Sequence, residues 1–98
     1  MPLKMNFDQV DAVSSQLKVL ANPDRLKILC VLMEHAFNVQ EIEERTQIHQ
    51  PTLSQQLTIL RNANLVGTER IGKYIYYRCV DEKVLKLIQT LHALYCAK

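Results

Sequence analysis

Apolar residues recur at helical spacing over five stretches of the chain and alternate over a sixth. Val10, Val13, Leu17 and Leu20 predict a helix from Phe7 to Leu20, capped by Asn6. A second helix runs from Pro23 to His35, with Asn22 at its cap and Pro23 in its first turn. Leu26, Ile28, Leu29, Cys30, Val31, Leu32 and Met33 cover most of its circumference, the pattern of a central, buried helix. Asn38 to Arg45 reads as a third, with Asn38 and Glu41 placed to cap each other. After Thr46-Gln47-Ile48, a fourth begins near His49, carries Pro51 in its first turn and ends near Asn62, with Asn64 as its left-handed stop. Val66–Arg70 and Lys73–Cys79 then predict two strands around Ile71-Gly72. Ile75, Tyr77 and Cys79 should face inward, and Tyr74, Tyr76 and Arg78 outward. The last helix, Asp81 to Cys96, carries Val84, Leu85, Leu87, Ile88, Leu91, Leu94 and Tyr95.

Four helices, two strands and a final helix predict a mainly α chain forming one domain over 1–98. The third and fourth helices with the hairpin make a helix-turn-helix with a wing, whose second helix fits a DNA major groove. The apolar face of the last helix is wider than a small domain covers. The first and last helices are therefore expected to pair with their copies in a two-fold dimer, setting two reading helices one DNA turn apart.

Charge separates along the chain as this reading requires. Met1 to Glu44 holds four basic and seven acidic residues, whereas Arg45 to Cys79 holds five basic residues and Glu69 alone. Phosphate contact depends on such a local basic face rather than on the formal net charge of +2.

In the fourth helix Leu53, Leu57 and Leu60 should face the core, which turns Gln50, Thr52, Ser54, Gln55 and Gln56 the other way. Gln can bond adenine through two edges, and Ser or Thr can bond a base or a phosphate. Ser54 and Gln55 lead as base-edge candidates. Arg61 suits a phosphate, and Arg70, Lys73 and Tyr74 at the hairpin tip suit the adjacent minor groove or backbone.

With 48% hydrophobic residues, two glycines and three prolines, the composition fits a small helical domain. No apolar run reaches the ~20 residues of a membrane span, and the polar start lacks a signal-peptide core, so a cytoplasmic protein with no membrane partner is expected. Three widely spaced cysteines do not make a secreted disulfide framework. An enzyme using Cys96 with His92 is disfavoured, since no orienting carboxylate or oxyanion loop accompanies them.

Leu20-Ala21-Asn22-Pro23-Asp24-Arg25-Leu26-Lys27-Ile28-Leu29 resembles the second-helix signature of the ArsR/SmtB winged-helix repressors. Gln50-Pro51-Thr52-Leu53-Ser54-Gln55-Gln56-Leu57, continuing through Leu60-Arg61-Asn62-Ala63-Asn64-Leu65-Val66, resembles their recognition helix and its exit. The likeness covers nearly the whole chain. Gln56 stands where that family usually has His, and Asn64 where it usually has Gly. The resemblance implies a dimeric transcription regulator without a cofactor. It would bind an imperfect palindrome in double-stranded DNA and release it when an inducer is sensed.

Many members of that family sense metal through a cysteine pair on the third helix or an Asp/His set on the last. Val39-Gln40-Glu41-Ile42-Glu43-Glu44 contains no Cys, and the last helix has a single His92, so neither set is complete. Cys30 and Cys96 are instead similar in position to the cysteines of the BigR/HlyU/SqrR/YgaV sub-group. That likeness implies a dithiol switch, bridged by reactive sulfur species or an oxidant. Three readings compete with it. Cys30, His92 and Cys96 could ligate a metal, Cys30 could serve only as a small core side chain, and operator binding could raise transcription by displacing a silencer. Cys79 is expected in the core of the wing.

Overall fold

A computed structural model describes residues 6–96, so the single domain expected over 1–98 extends past them at both ends. The elements are α1 (Val10–Leu20), α2 (Pro23–Leu32), β1 (Phe37–Asn38), α3 (Val39–Thr46), α4 (Thr52–Asn62), β2 (Val66–Ile71), β3 (Tyr74–Cys79) and α5 (Glu82–Tyr95). This is the mainly α, winged helix-turn-helix order the pattern predicts, with β1 added.

Local chemistry explains most boundaries. Asn22 Oδ1 accepts from the Arg25 N–H at 3.0 Å and starts α2 with Pro23 behind it. Asn38 and Glu41 form the reciprocal capping box of α3, at 2.9 and 3.0 Å. Asp81 Oδ1 accepts from Val84 N–H at 2.9 Å and starts α5. Asn64, at φ 61°, turns the chain out of α4 while Leu65 N–H reaches back to Leu60 O.

Three helix boundaries fall short of the periodicity. α1 starts at Val10, not Phe7, because Asn6 Oδ1 accepts from the Asp8 N–H and closes a local turn instead of capping the helix. α2 stops at Leu32, not His35: Met33 N–H bonds Cys30 O, and Phe37 and Asn38 leave to pair with β3. α4 starts at Thr52, which leaves Gln50 in the preceding turn and Pro51 at the cap.

α2 lies at the centre, packed against α1, α3, α4, α5 and β3. Ile28 and Leu29 meet Ile42, Leu53, Leu57, Leu60, Leu65, Val84 and Ile88 in a fully buried core. Burying each such side chain stabilises the fold by about 1.5–3 kcal/mol. The sheet is antiparallel in the order β1-β3-β2, with Val66 opposite Cys79 and Ile71 opposite Tyr74. Its hairpin turn is therefore Gly72-Lys73, one residue later than expected, and Gly72 supplies the positive φ of 63°. Tyr77 and Cys79 pack on the core as the alternation predicts. Ile75 does not: the wing tip extends past the helices and leaves it 47% exposed. Tyr76, expected outward, is half-buried opposite Asn38 of β1.

Two apolar faces stay open. Of the α1 stripe only Leu20 is buried, while Val13 and Leu17 are 52% and 49% exposed. On α5 Val84 and Ile88 are buried, but Leu94 and Tyr95 project outward, Tyr95 with 81% of its surface exposed. Among the described residues no helix is long and apolar enough to cross a membrane.

Candidate nucleic-acid interface and thiol pair

The turn between α3 and α4 is fixed from within. Thr46 is buried, and its hydroxyl donates to Ile42 O at 2.7 Å and accepts from Ile48 N–H at 3.2 Å. Gln47 takes the left-handed conformation at φ 60°, and its Nε2 donates to Glu44 O. Ile48 then drops into the core and anchors the chain before α4. His49 Nδ1 lies 3.0 Å from Glu43 Oε2, which ties the turn to α3.

Leu53, Leu57 and Leu60 hold α4 down, so its opposite side faces solvent. Ser54 and Gln55 are exposed on that side, with Thr52 half-buried beside them and Arg61 exposed in the last turn. Two expectations change. Gln50 is exposed but precedes the helix, and its Oε1 accepts from the Ser54 N–H at 3.0 Å, so it satisfies a first-turn N–H of α4. Gln56 is half-buried on the inner side, where its Oε1 accepts from Arg25 Nη1 at 2.9 Å. Its acceptor is thus committed to α2 rather than offered outward. Thr58 and Ile59, absent from the expected set, are both exposed one turn beyond Ser54 and Gln55. Helical spacing of four from those two residues would have found them.

Arg70 and Lys73 project at the wing tip, and Lys73 Nζ sits 5.4 Å from the centre of the exposed Tyr74 ring. Arg45, Arg61, Arg70, Lys73 and Arg78 are all exposed, and among the described residues none is ion-paired with an acid. Their charge therefore remains available to phosphates. Arg45 is steadied without losing its charge, since its guanidinium lies 4.1 Å over the Phe37 ring.

The three cysteines are free. Cys30 is exposed on α2, although the residues around it from Ile28 to Leu32 are apolar, so it is not a core side chain. Cys96 ends α5, is exposed, and donates its N–H to His92 O. α2 and α5 pack together. Cys30 and His92 line one cavity of about 280 Å³ with Val31, Met33, Glu34, Phe37 and Arg45. Partial desolvation by the surrounding α2 side chains pushes the Cys30 thiol above its ordinary pKa of 9.0, and the charge of a Cys96 thiolate pushes it further the same way. Among the described residues no three His, Cys, Asp or Glu side chains gather as a metal site, so Cys30, His92 and Cys96 do not form the ligand set considered from sequence. Cys79 is half-buried in the wing; its thiol donates to Asp81 O at 3.7 Å, and burial raises its pKa.

The model of the arsR family of bacterial regulatory proteins matches residues 22–68. The chain is 44% identical to the biofilm growth-associated repressor of Agrobacterium fabrum (strain C58) over 96 residues, spanning 98% of this chain and 82% of that protein. Its fold superposes on the crystal structure of the transcriptional repressor BigR from Xylella fastidiosa with a TM-score of 0.86, at 41% identity over 92% of each chain. The solution structure of the homodimeric winged helix-turn-helix domain Mb0332 from Mycobacterium bovis matches with a TM-score of 0.73 and 30% identity, covering 94% of this chain and 89% of that one.

Proposed function

Because this chain belongs to the arsR family of bacterial regulatory proteins, and so is a DNA-binding transcription regulator rather than an enzyme, we propose that it works in the cytoplasm as a homodimeric repressor controlled by a dithiol switch. The open faces of α1 and α5 meet their copies across a two-fold axis, a reading supported by the homodimeric relative. Each α4 then enters one major groove of an imperfect palindrome, with half-sites ~34–36 Å apart. Ser54 and Gln55 read base edges. Thr52 and Thr58 lie beside them, and Ile59 is suited to a thymine methyl. Arg61, Arg70 and Lys73 meet phosphates, and Tyr74 packs at the wing tip.

The switch is supported by one observation: Cys30 shares a cavity with His92, which lies one helical turn before Cys96 on α5. A low-molecular-weight persulfide, RS–SH, passes its outer sulfur to a thiolate. A Cys–S bond forms, the RS–S bond breaks, and RSH leaves. The second thiolate attacks the cysteine's own sulfur and expels hydrosulfide, which leaves a Cys30–Cys96 disulfide. When both cysteines carry persulfides, the corresponding displacement leaves a trisulfide and hydrogen sulfide. Hydrogen peroxide reaches the disulfide by taking two electrons and two protons from the two thiols and becoming two water molecules. A direct disulfide needs Cα atoms within ~7 Å, and an inserted sulfur relaxes that limit.

Either bridge ties the end of α5 to α2, on which α4 rests. Operator affinity should fall by about 1–3 kcal/mol, the usual size of a coupling between sites. Intact-mass spectrometry run beside an operator titration tests the switch. Loss of two hydrogens, or gain of sulfur, should track release, and Cys30→Ser should stay bound under the same treatment. Release with no covalent change, or bridging with no release, overturns it.

A further inference from the structure

Gln56 lies on the inner stripe of α4 with Leu53, Leu57 and Leu60, and its Oε1 takes a hydrogen bond of 2.9 Å from Arg25. The same guanidinium donates through Nε to the carbonyl of Val19, which lies in the last turn of α1 where helix bonding leaves carbonyls unserved. The Arg25 main chain is held in turn, its N–H donating to the Asn22 cap at 3.0 Å. Arg25 therefore ties three helices at one point. Helix stability does not explain its position, because a cation in the first turn opposes the helix dipole. Among the described residues, the Arg25–Gln56 bond is the one side-chain to side-chain hydrogen bond that joins α4 to another helix. Otherwise the helix is seated by leucines, whose packing is non-directional and tolerates small rotations.

We propose that Gln56 is a positioning residue for DNA reading rather than a base contact. Through Arg25 it fixes the rotation of α4 against α1 and α2, and so the distance and angle between the two reading helices of the dimer. The inference rests on α4 being the reading helix of a two-fold pair. It adds a function for Gln56, a position whose polarity alone suggests a groove contact.

The test uses the reduced full-length protein on operators whose half-sites are moved one base pair closer or farther, which rotates each by about a tenth of a turn. It also uses operators with each base pair of one half-site replaced. Gln56→Leu keeps the volume and removes the acceptor; it should lose roughly tenfold in affinity for the best-spaced operator. It should also bind the three spacings nearly alike while preferring the same bases as wild type. Arg25→Lys keeps the charge and breaks the three-way tie, and it should flatten the spacing preference in the same way. The double variant should be no worse than either single one. Gln56→Glu still accepts from Arg25 and should retain the wild-type spacing preference, whatever its added charge does to total affinity. Should Arg25→Lys fail to fold, as judged by thermal melting, the two Gln56 variants still decide the matter. The proposal is overturned if Gln56→Leu keeps the spacing preference, or loses discrimination at one base pair per half-site. A wild-type protein with no sequence preference at all would instead remove the reading of α4, and this inference with it.

Discussion

Replacing Ser54 and Gln55 together with alanine should remove sequence reading while leaving the fold alone. Ser54 serves the fold only through its main chain: its N–H donates to Gln50 Oε1 and its carbonyl accepts from Thr58 Oγ1 at 2.8 Å. Both side chains are exposed, and alanine is the better helix former, so the melting temperature should hold or rise slightly. On DNA, a bidentate Gln–adenine pair contributes about 1–3 kcal/mol of discrimination and a serine hydrogen bond about 0.5–1.5 kcal/mol. With two half-sites the loss is about 3–9 kcal/mol, against the ~4–10 kcal/mol that separates specific from non-specific binding in such proteins. Most selectivity should therefore go. No charge is removed, so the slope of log affinity against log salt should not change. Fluorescence anisotropy with labelled operator, competed by scrambled duplex over a salt series, reads both quantities. Full operator selectivity in the double variant, or a collapse of the melting temperature, would refute the assignment of the outer stripe.

Asn38→Ala removes the α3 cap that accepts from Glu41 N–H, and should cost about 1 kcal/mol, or a melting shift of about 4–8 °C. An unchanged melt would mean the capping box contributes nothing. Leu17→Glu places a charge on a half-exposed position of α1, so it should leave the protomer folded and shift sedimentation from dimer to monomer; a stable dimer would move the interface elsewhere. The raised Cys30 pKa makes the reactive thiolate a minority below pH 9.0, so its alkylation rate should rise about tenfold per pH unit and level off only above that value. In Cys96→Ser the neighbouring charge is gone and the midpoint should move down, though partial desolvation still holds it above 9.0; an unchanged midpoint would separate the two sulfurs.

Short-range signals were the most legible. Asn22-Pro23, Asn38 with Glu41, Asp81 and Asn64 each act within a few residues, so the starts of α2, α3 and α5 and the exit of α4 follow from them alone. β1 was invisible: two residues carry no period, and their strand character comes from pairing with Tyr76 and Tyr77 far along the chain. The hairpin turn slipped by one because Ile71 is apolar enough to end a strand or to enter a turn, and only the pairing with Tyr74 decides. At the candidate interface, polarity suggested one outward set of residues. Helical spacing separates it, since Gln56 falls in step with Leu53 and Leu60 whereas Thr58 falls in step with Ser54. Cys30 shows the reverse problem. The apolar residues around it on α2 left a core role open, and only the folded chain shows the thiol at the surface, lining a cavity with His92.

The most direct measurement is a crystal structure of the reduced dimer on its operator duplex. The account predicts α4 of each protomer in successive major grooves, with Ser54 and Gln55 at ~2.7–3.2 Å from base edges and Gln56 still turned back to Arg25. A complex in which α4 lies outside the groove and another surface meets the bases would contradict it.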